Sequence, residues 1–457
     1  MMLAKELEEI LGKENVSTRR SELYCYSFDA SGVEGLPDFV VRPASTEQVA
    51  DVIRSADMSN TPVVARGAGS GLCGGAVPVK GGILLDMSSM DRILDIDIDN
   101  LQITVEPGVV HEKLNKALEP YGFFFPPDPG STAMCTIGGL MANNGSGMRC
   151  VKYGTTRNYV LDLEVVMADG RIVHTGSKTL KTASGYDLTD LMVGSEGTLG
   201  IITKAVLKVH PLPHSRSVIL ASFDNTTLAG KAVVKVLSSG IIPSACEILD
   251  STAIKAVRRF DPSVELPDVG AILMIEVDGM ENAVREEAAL VGKACEELAS
   301  AIKVAESGAE SDNLWKARRL VGAAISKIDV KRTRIYVGED IGVPIKELPG
   351  MLEYVRSLSE EFDIHIMTYG HIGDGNLHTG MAIDMLSEEE LESAHAVADR
   401  IYRRAISVGG TVSAEHGVGK ARAMYMELEH PTSLEVMRQI KRALDPKGIL
   451  NPGKMGL

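Results

Sequence analysis

The spacing of apolar residues in the first half of the chain predicts alternating helices and strands. Val49, Val52, Ile53 and Ala56 recur at helical intervals and predict a helix over residues 46–58, capped by Thr46. Short apolar runs before and after this helix predict strands. The further predicted elements of this half are strands at 38–43, 61–65, 83–86, 92–98 and 101–106, a helix at 111–118, and a hairpin of 159–168 with 171–175.

The pattern changes after Pro213, where apolar strands alternate with long helices. Strands are predicted at 217–223 and 271–277, and helices at 226–238 and 281–300. Glu388, Glu389 and Glu390 are expected to begin another helix, where negative charge is favourable. This order is typical of an α+β domain with an open sheet.

The stretch 365–380, HIMTYGHIGDGNLHTG, predicts a hairpin that carries two histidines. Residues alternate before His371, as they do in a strand, and the strand restarts at residue 376 after the turn residues 373–375. A tight reversal of this kind brings His371 and His378 to one end of the hairpin. Two imidazoles on rigid strands form part of a divalent-metal site that leaves positions open for a substrate.

A third ligand is available in the short polar run 413–417, SAEHG. We predict a divalent metal held by His371, His378 and Glu415, with His416 beside them as a base. The alternative is that the two hairpin histidines are ordinary partnered residues, which is the commoner role of a lone histidine on a strand.

Length and charge narrow the class of protein. A chain of 457 residues is too long for one ordinary core, so two or three domains are expected. The net charge of −15 without a block of Lys or Arg disfavours nucleic acid as a partner. The chain contains no run of about eighteen apolar residues, so no transmembrane segment is predicted.

The N-terminal stretch and the cysteines indicate a reducing compartment. MMLAKELEEILGKENV predicts an amphipathic acidic helix rather than a signal peptide, so we expect a cytoplasmic protein that reaches a membrane only through a partner. The six cysteines contain no CxxC pair and are expected to be free thiols. Any iron–sulfur centre that accepts electrons from this chain should therefore lie on another chain.

A glycine-rich loop, RGAGSGLCGG at 66–75, follows the predicted strand 61–65. Such a loop can bind phosphate through backbone N–H groups. A nicotinamide-binding Rossmann motif should instead be the first strand-to-helix turn and should open a helix. Here the loop leads through Ala76, Val77 and Pro78 to another strand, so we exclude that motif. The later tract 126–157 is again rich in Gly and Asn, which suggests main chain packed closely against a flat ligand.

Five motifs in this order, RGAGSGLCGG, PPDPGS, TIGGLMANNGSG, KYGTTRNYVLDLEVVMADG and GSEGTLGIIT, resemble the FAD-binding domain of vanillyl-alcohol-oxidase (PCMH-type) flavoproteins. HIGDGNLHTG, SAEHGVGK and DPKGILNPGKM are similar to the C-terminal domain of the D-lactate, glycolate and D-2-hydroxyglutarate dehydrogenase branch. The resemblance implies an α+β fold: a PCMH-type FAD-binding domain of two α/β subdomains, followed by an α+β substrate domain with an open, largely antiparallel sheet. The implied boundaries are a helical segment at 1–36, the FAD-binding domain at 37–212, the substrate and metal domain at 213–440, and a tail at 441–457 that returns to the flavin.

The resemblance also implies which residues bind the flavin. The loop at 66–71 would bind the FAD pyrophosphate, and Ser70 stands where covalently flavinylated relatives place a His, which implies non-covalent FAD. The residues implied for the cofactor are Arg66, Gly67, Ala68, Gly69, Ser70, Gly71, Ser131, Thr136, Gly138, Gly139, Asn143, Asn144, Gly147, Tyr153, Gly154, Glu196, Gly200, Ile202 and Asn451.

In the family, the Glu-His dipeptide supplies a metal ligand and a general base, which assigns these roles to Glu415 and His416. Arg318, in the segment LWKARR, matches an Arg that binds the substrate carboxylate, and its alternative role is a solvated helix charge. Some relatives use a Lys for a second carboxylate where this chain has residues 338–339, which favours lactate or glycolate over 2-hydroxyglutarate. Zinc, manganese and iron all accept two His and a carboxylate.

The resemblance implies oxidation of a small 2-hydroxy acid, with D-lactate preferred, hydride transfer to flavin N5 and a separate electron acceptor. That acceptor would be an iron–sulfur subunit, a quinone or a cytochrome, and a homodimer or hetero-complex is expected. The alternatives are the catalytic subunit of a glycolate oxidase complex, a D-2-hydroxyglutarate dehydrogenase-like enzyme, and a non-redox FAD group-transfer enzyme. A further alternative, from another class of enzyme, is a hydrolase that uses the metal and no flavin.

Overall fold

A computed structural model describes residues 2–305, 307–327, 331–335 and 337–457, which divide into two units. Met1 of the predicted N-terminal helix lies outside the described residues. Unit 1 is Met1–Ser146, Gly154–Leu212 and Glu415–Leu457; unit 2 is Gly147–Tyr153 and Pro213–Ala414.

The strands in the described residues are β1 (Val16–Ser17), β2 (Phe39–Val41), β3 (Val63–Arg66), β4 (Ile83–Asp86), β5 (Ile93–Asp97), β6 (Gln102–Val105), β7 (Phe123–Phe124), β8 (Val160–Val166), β9 (Ile172–His174), β10 (Ile201–Lys208), β11 (His210–Pro211), β12 (Ser215–Phe223), β13 (Ala245–Asp250), β14 (Ala271–Gly279), β15 (Ala301–Val304), β16 (Thr333–Ile335), β17 (Ile341–Gly342), β18 (Ile366–Gly370) and β19 (Asn376–Ile383). The helices are α1 (Met2–Leu11), α2 (Arg20–Cys25), α3 (Thr46–Ser59), α4 (His111–Leu118), α5 (Ile137–Asn143), α6 (Cys150–Tyr153), α7 (Leu188–Met192), α8 (Thr226–Ser238), α9 (Ser251–Phe260), α10 (Glu281–Cys295), α11 (Gly308–Ala324), α12 (Leu348–Phe362), α13 (Glu388–Ser407), α14 (Met426–Glu429) and α15 (Leu434–Leu444).

The first sheet of unit 1 has the order β1-β2-β4-β3, with β2, β4 and β3 parallel. Its helix α3 is capped by Ser45, whose hydroxyl accepts a hydrogen bond from the Gln48 N–H at 3.3 Å. The predicted cap, Thr46, was wrong by one residue. A cap needs the extended backbone that Ser45 adopts, whereas Thr46 is already helical and its hydroxyl donates to Glu164 at 2.6 Å.

The C-terminal tail adds to the edge of this sheet. The Val63 N–H donates to the Ile449 carbonyl at 2.8 Å, and the Asn451 N–H donates to the Val63 carbonyl at 2.8 Å. Because β3 runs directly into the glycine loop, the tail lies beside the strand that positions this loop.

The tract 136–147 contains a helix, α5, that the sequence did not predict. Thr136 caps it by accepting a hydrogen bond from the Gly139 N–H at 3.3 Å, and Ile137, Leu140 and Met141 are buried. The neighbouring second sheet of unit 1 is antiparallel, in the order β5-β6-β10-β8-β9.

Unit 2 is built on an antiparallel sheet with the order β15-β12-β14-β13-β18-β19-β16, to which β17 adds beside β19. Alternate residues on one face, among them Leu249, Met274 and Met367, pack with buried residues of α9 and α11. These contacts hold helix α11 against the face that carries the odd-numbered residues of β13. The predicted α+β class with an open antiparallel sheet in the second half is confirmed.

Candidate functional site

Unit 1 packs the glycine loop closely against its surroundings. Arg66, the last residue of β3, is buried and donates through Nη1 to the Phe28 carbonyl at 2.8 Å. Gly69 has φ +68°, and a Cβ there would lie 2.1 Å from Arg66 Nη2. A Cβ on Gly67 would lie 2.2 Å from Thr136 Oγ1. These two positions require glycine, so main-chain groups are what the loop can offer a ligand there.

Glu196 connects another predicted cofactor residue, Asn451, with the segment that follows His416. Its buried carboxylate accepts hydrogen bonds from the backbone N–H groups of Val418 at 2.6 Å and Gly419 at 2.8 Å. Burial raises the pKa of Glu196 above its usual range, although these two bonds oppose the rise. The Glu196 carbonyl accepts from Asn451 Nδ2 at 2.6 Å. Asn451 Oδ1 is buried without a partner among the described residues.

The other predicted cofactor residues are distributed over both units. Asn143 Nδ2 donates to the His416 carbonyl at 3.2 Å, and Asn144 Oδ1 accepts from the Arg157 N–H at 2.9 Å. Tyr153, in unit 2, donates its hydroxyl to Asp278 at 2.7 Å, and its pKa is raised by burial and by this carboxylate. The remaining ones are Ala68, Ser70, Gly71, Ser131, Gly138, Gly139, Gly154, Gly200 and Ile202 in unit 1 and Gly147 in unit 2. Their role towards a cofactor stays a prediction.

Glu415 and His416 lie together in unit 1. His416 Nε2 is 3.3 Å from Glu415 Oε1, and Ser146 donates its hydroxyl to Glu415 Oε2 at 3.4 Å. The predicted carboxylate ligand and the predicted base are thus neighbours in space as well as in sequence.

In unit 2 the predicted hairpin brings two histidines together. Tyr369 pairs with His378 across β18 and β19, and the ring centroids of His371 and His378 are 5.3 Å apart. The turn is tight because Gly375 has φ +88° and a Cβ there would lie 2.2 Å from the Val343 carbonyl oxygen. The predicted ligand set is divided between the units: the two histidines belong to unit 2 and Glu415 to unit 1.

One buried carboxylate, Glu247 of β13, contacts both a predicted metal ligand and the predicted substrate anchor. Glu247 Oε1 is 2.6 Å from His371 Nδ1, and Glu247 Oε2 accepts a hydrogen bond from Arg318 Nε. Its side chain is fully buried. Burial alone would raise the pKa of Glu247, but Arg318 and His371 outweigh it and hold that pKa below its usual range. The alternative that Arg318 is a solvated helix charge is excluded by this contact and by its low exposure of 12%.

A second arginine lies close by. Arg334 donates two hydrogen bonds to Glu339, at 2.9 and 2.7 Å, and one to the Tyr369 hydroxyl at 2.5 Å. The guanidinium carbons of Arg318 and Arg334 lie 5.2 and 5.8 Å from the centroid of the Tyr369 ring. Two cations therefore share one aromatic ring beside the histidine hairpin.

Asp340 supplies a carboxylate near the other histidine. An Asp340 oxygen lies within 4.8 Å of a His378 ring nitrogen. The Asp340 oxygens also accept hydrogen bonds from Asn376 Nδ2 at 3.0 Å and from the Ser413 hydroxyl at 3.1 Å. Its φ of 67° lies in the left-handed region, which Asp adopts more readily than most residues with a side chain.

Comparisons with known proteins identify the family of this chain. Residues 37–176 match the FAD binding domain, and residues 212–455 match the C-terminal domain of FAD linked oxidases. The chain belongs to the FAD-linked oxidases. It is 38% identical to the glycolate oxidase subunit GlcD of Bacillus subtilis over 99% of this chain and 97% of that one. It is 35% identical to a probable mitochondrial D-lactate dehydrogenase of Danio rerio, over 92% of this chain and 84% of that one.

The fold of this FAD-linked oxidase is also that of solved PCMH-type flavoproteins. The structure of 4-ethylphenol oxidase from Gulosibacter chungangensis superimposes with a TM-score of 0.81, at 20% identity, over 99% of this chain and 96% of that one. The predicted PCMH-type FAD-binding fold and the predicted family are thereby confirmed. FAD is the cofactor that the matched domain binds.

Four charged residues in the two units of this FAD-linked oxidase were not predicted from the sequence. Glu247, Arg334 and Asp340 surround the histidine hairpin in unit 2. In unit 1, Lys454 is fully buried and donates to the Val77 carbonyl at 2.5 Å, and burial lowers its pKa to about 8. A signal existed for Glu247, because it interrupts the apolar run of β13, where a charged residue needs a partner.

Proposed function

We propose that this chain oxidises a short D-2-hydroxy acid to the 2-keto acid, using non-covalent FAD and a divalent metal, with D-lactate as the substrate. The observation that carries the proposal is the cluster in unit 2. There, the paired imidazoles of His371 and His378 lie beside Arg318, to which His371 is connected through Glu247. Metal ligands and a carboxylate anchor on one side of a sheet suit a small chelating hydroxy acid.

The residues of unit 1 fit FAD. The glycine positions that exclude side chains leave main-chain donors for a pyrophosphate, and the buried Asn451 Oδ1 is an acceptor in need of a donor. FAD, when bound, accepts the hydride from the substrate Cα. Ser70, in place of a flavin-linking His, supports non-covalent binding.

The donor set also fits a divalent metal. A proton on His371 Nδ1, shared with Glu247, leaves the lone pair on Nε2, which is the usual arrangement of a metal-binding His. The proposed ligands are His371, His378 and Glu415, and zinc, manganese and iron all suit them. The metal, when bound, lowers the pKa of the substrate hydroxyl.

The protein side chains have separate roles in the proposed reaction. Arg318 binds the substrate carboxylate through its Nη atoms, since Nε is engaged by Glu247. His416 takes the hydroxyl proton, and Glu415 Oε1 lies 3.3 Å from its Nε2. A substrate held at two points presents Cα in a fixed orientation.

A second candidate substrate is glycolate, favoured by the relative named glycolate oxidase subunit at 38% identity. A dicarboxylic substrate such as D-2-hydroxyglutarate is less well supported, because residues 338–339 provide no Lys and Glu339 is bound to Arg334. The word "subunit" in that relative's name supports a separate partner that removes the electrons. Helices long and apolar enough to cross a membrane are absent from the described part of the chain.

The test is anaerobic titration of the FAD-loaded protein with D-lactate, L-lactate, glycolate and D-2-hydroxyglutarate. The proposal expects D-lactate to bleach the flavin absorption and L-lactate to leave it unchanged. Bleaching by glycolate with none by D-lactate would select the second candidate. A flavin that no hydroxy acid bleaches would instead support the non-redox alternative.

A further inference from the structure

Glu247 is placed by the register of the sheet in unit 2. β13 pairs with β18 through Ile248 with Gly370 and Leu249 with Tyr369. One step further along the same antiparallel register, Glu247 stands opposite His371. Residues 245, 247 and 249 share one face, which is the face that packs against α11, the helix carrying Arg318.

The two oxygens of this carboxylate are used by two different groups. Oε1 contacts His371 Nδ1 at 2.6 Å, and Oε2 accepts from Arg318 Nε. A fully buried carboxylate with two charge-assisted bonds holds both partners firmly, because releasing Arg318 would leave charge uncompensated in the interior and releasing His371 would leave a buried acceptor without its donor.

We propose that Glu247 is a positioning residue that fixes the His371 ring for metal binding and the Arg318 guanidinium for substrate binding at the same time. The inference rests on the proposed function and deepens it. With Oε1 accepting from Nδ1–H, the lone pair of His371 stays on Nε2. With Oε2 engaged at Nε, the two Nη atoms of Arg318 are directed to the substrate carboxylate.

Glu247→Gln tests the inference because an amide has one acceptor and one donor. In one arrangement, the Gln oxygen accepts from Arg318 and the Gln NH₂ faces His371, which then takes the tautomer with the proton on Nε2. In the other, the Gln oxygen accepts from His371 and the bond to Arg318 is lost. In either case one of the two groups is released. Glu247→Asp keeps both acceptor oxygens and should restore part of the loss.

The measurements use the FAD-loaded full chain. Zn²⁺ affinity is determined by competition with a chelator, FAD content by visible absorption, and KM and kcat for D-lactate at saturating Zn²⁺. E247Q should either bind Zn²⁺ about 10–100-fold more weakly or raise KM more than it lowers kcat, and it should keep its FAD. Wild-type Zn²⁺ affinity together with wild-type KM in E247Q would overturn the inference.

Glu276→Gln is the matched control, because Glu276 is another buried carboxylate of the same sheet, bonded to Trp315 at 3.1 Å and Ser244 at 3.0 Å. E276Q should leave Zn²⁺ affinity unchanged. An equal loss of Zn²⁺ affinity in E276Q would mean that E247Q acts through general destabilisation of the sheet, and this would overturn the inference. If E247Q does not fold, the double variant Glu247→Leu with Arg318→Met removes both charges and also the acceptor for His371 Nδ1–H, so it should fold while binding Zn²⁺ weakly. Wild-type Zn²⁺ affinity in that double variant would also overturn the inference.

Failure of the proposed function would appear differently, in the wild type itself. That protein would bind no Zn²⁺ and its flavin would stay oxidised with D-lactate. Failure of the inference appears only in the variants.

Discussion

Replacing Lys441 with Met should destabilise unit 1 and weaken its binding of FAD. Lys441 is 8% exposed and its Nζ donates to Asp445 Oδ2 at 2.5 Å, to the Thr198 carbonyl at 2.7 Å and to the Leu450 carbonyl at 2.7 Å. Met fills the same space but cannot donate. Asp445 would keep its bonds from the N–H groups of Ile449 and Leu450, yet its buried charge would lose its cation.

The expected cost is about 3–5 kcal/mol, the usual effect of removing one partner from a buried ion pair. For a unit of roughly 150–250 residues this lowers Tm by about 6–20 °C. The Leu450 carbonyl precedes Asn451, whose side chain spans Gly75 and Glu196, so losing its anchor should weaken FAD binding about tenfold.

The assay is thermal melting with and without FAD, together with FAD titration of the apoprotein. Lys447→Met is the matched control, because Lys447 is 47% exposed in its ion pair with Asp57, and it should cost about 1 kcal/mol or less. The double variant K441M with Asp445→Asn should recover part of the stability, since no unpaired carboxylate remains but the amide can accept from only one of the Ile449 and Leu450 N–H groups. A K441M protein that melts with the wild type and binds FAD equally well would refute the reasoning.

Three further outcomes are expected. His416→Asn should lower the rate of substrate-driven flavin reduction by roughly 10²–10⁴-fold in stopped flow while FAD content is unchanged, whereas near-normal rates would remove His416 as the base. Dialysis against a chelator should abolish flavin bleaching by D-lactate without releasing FAD, and adding back Zn²⁺, Mn²⁺ or Fe²⁺ should restore it; bleaching that persists in metal-free protein would contradict the metal's role. Burial raises the pKa of Asp250 to about 7, although the N–H groups of Ala253 and Thr368 oppose this. The folded state therefore binds a proton that the unfolded chain releases near pH 4. The stability contributed by Asp250 is fully present below about pH 4 and is lost as the pH rises through 7. Asp250→Asn should lack this dependence of the free energy of unfolding on pH, as measured by denaturation curves at several pH values.

Local patterns predicted the regular elements well, and failed where tertiary packing overrides composition. The helices α4 (His111–Leu118) and α8 (Thr226–Ser238) have the predicted bounds, because their apolar residues recur at helical intervals over their whole length. Helix α5 was missed because Gly138 and Gly139 are poor helix formers. Gly138 is nevertheless needed there, since a Cβ would lie 2.6 Å from the Pro107 side chain. The helix is stabilised by the Thr136 cap and by burial, neither of which glycine content reveals.

The histidine hairpin could be predicted because its signals are local: a period of two, a glycine turn and two histidines at its end. The partners of those histidines could not, because they come from distant parts of the chain. Glu247 is 124 residues from His371, and Arg318 is 71 residues from Glu247. A buried charge in an apolar strand indicates that a partner exists, but the identity of that partner depends on strand order.

The geometry of this cluster therefore depends on the pairing of β13 with β18. That ladder consists of Ile248 with Gly370 and Leu249 with Tyr369, and it ends just before Glu247 and His371. A slip of one residue would turn Glu247 to the opposite face of the sheet, away from α11 and Arg318. Asp250 resists such a slip, because one carboxylate oxygen caps α9 at the Ala253 N–H and the other accepts from the Thr368 N–H, each at 2.7 Å. The same short strand thus carries both Glu247, which we propose positions His371 and Arg318, and Asp250, which fixes the register on which this positioning depends.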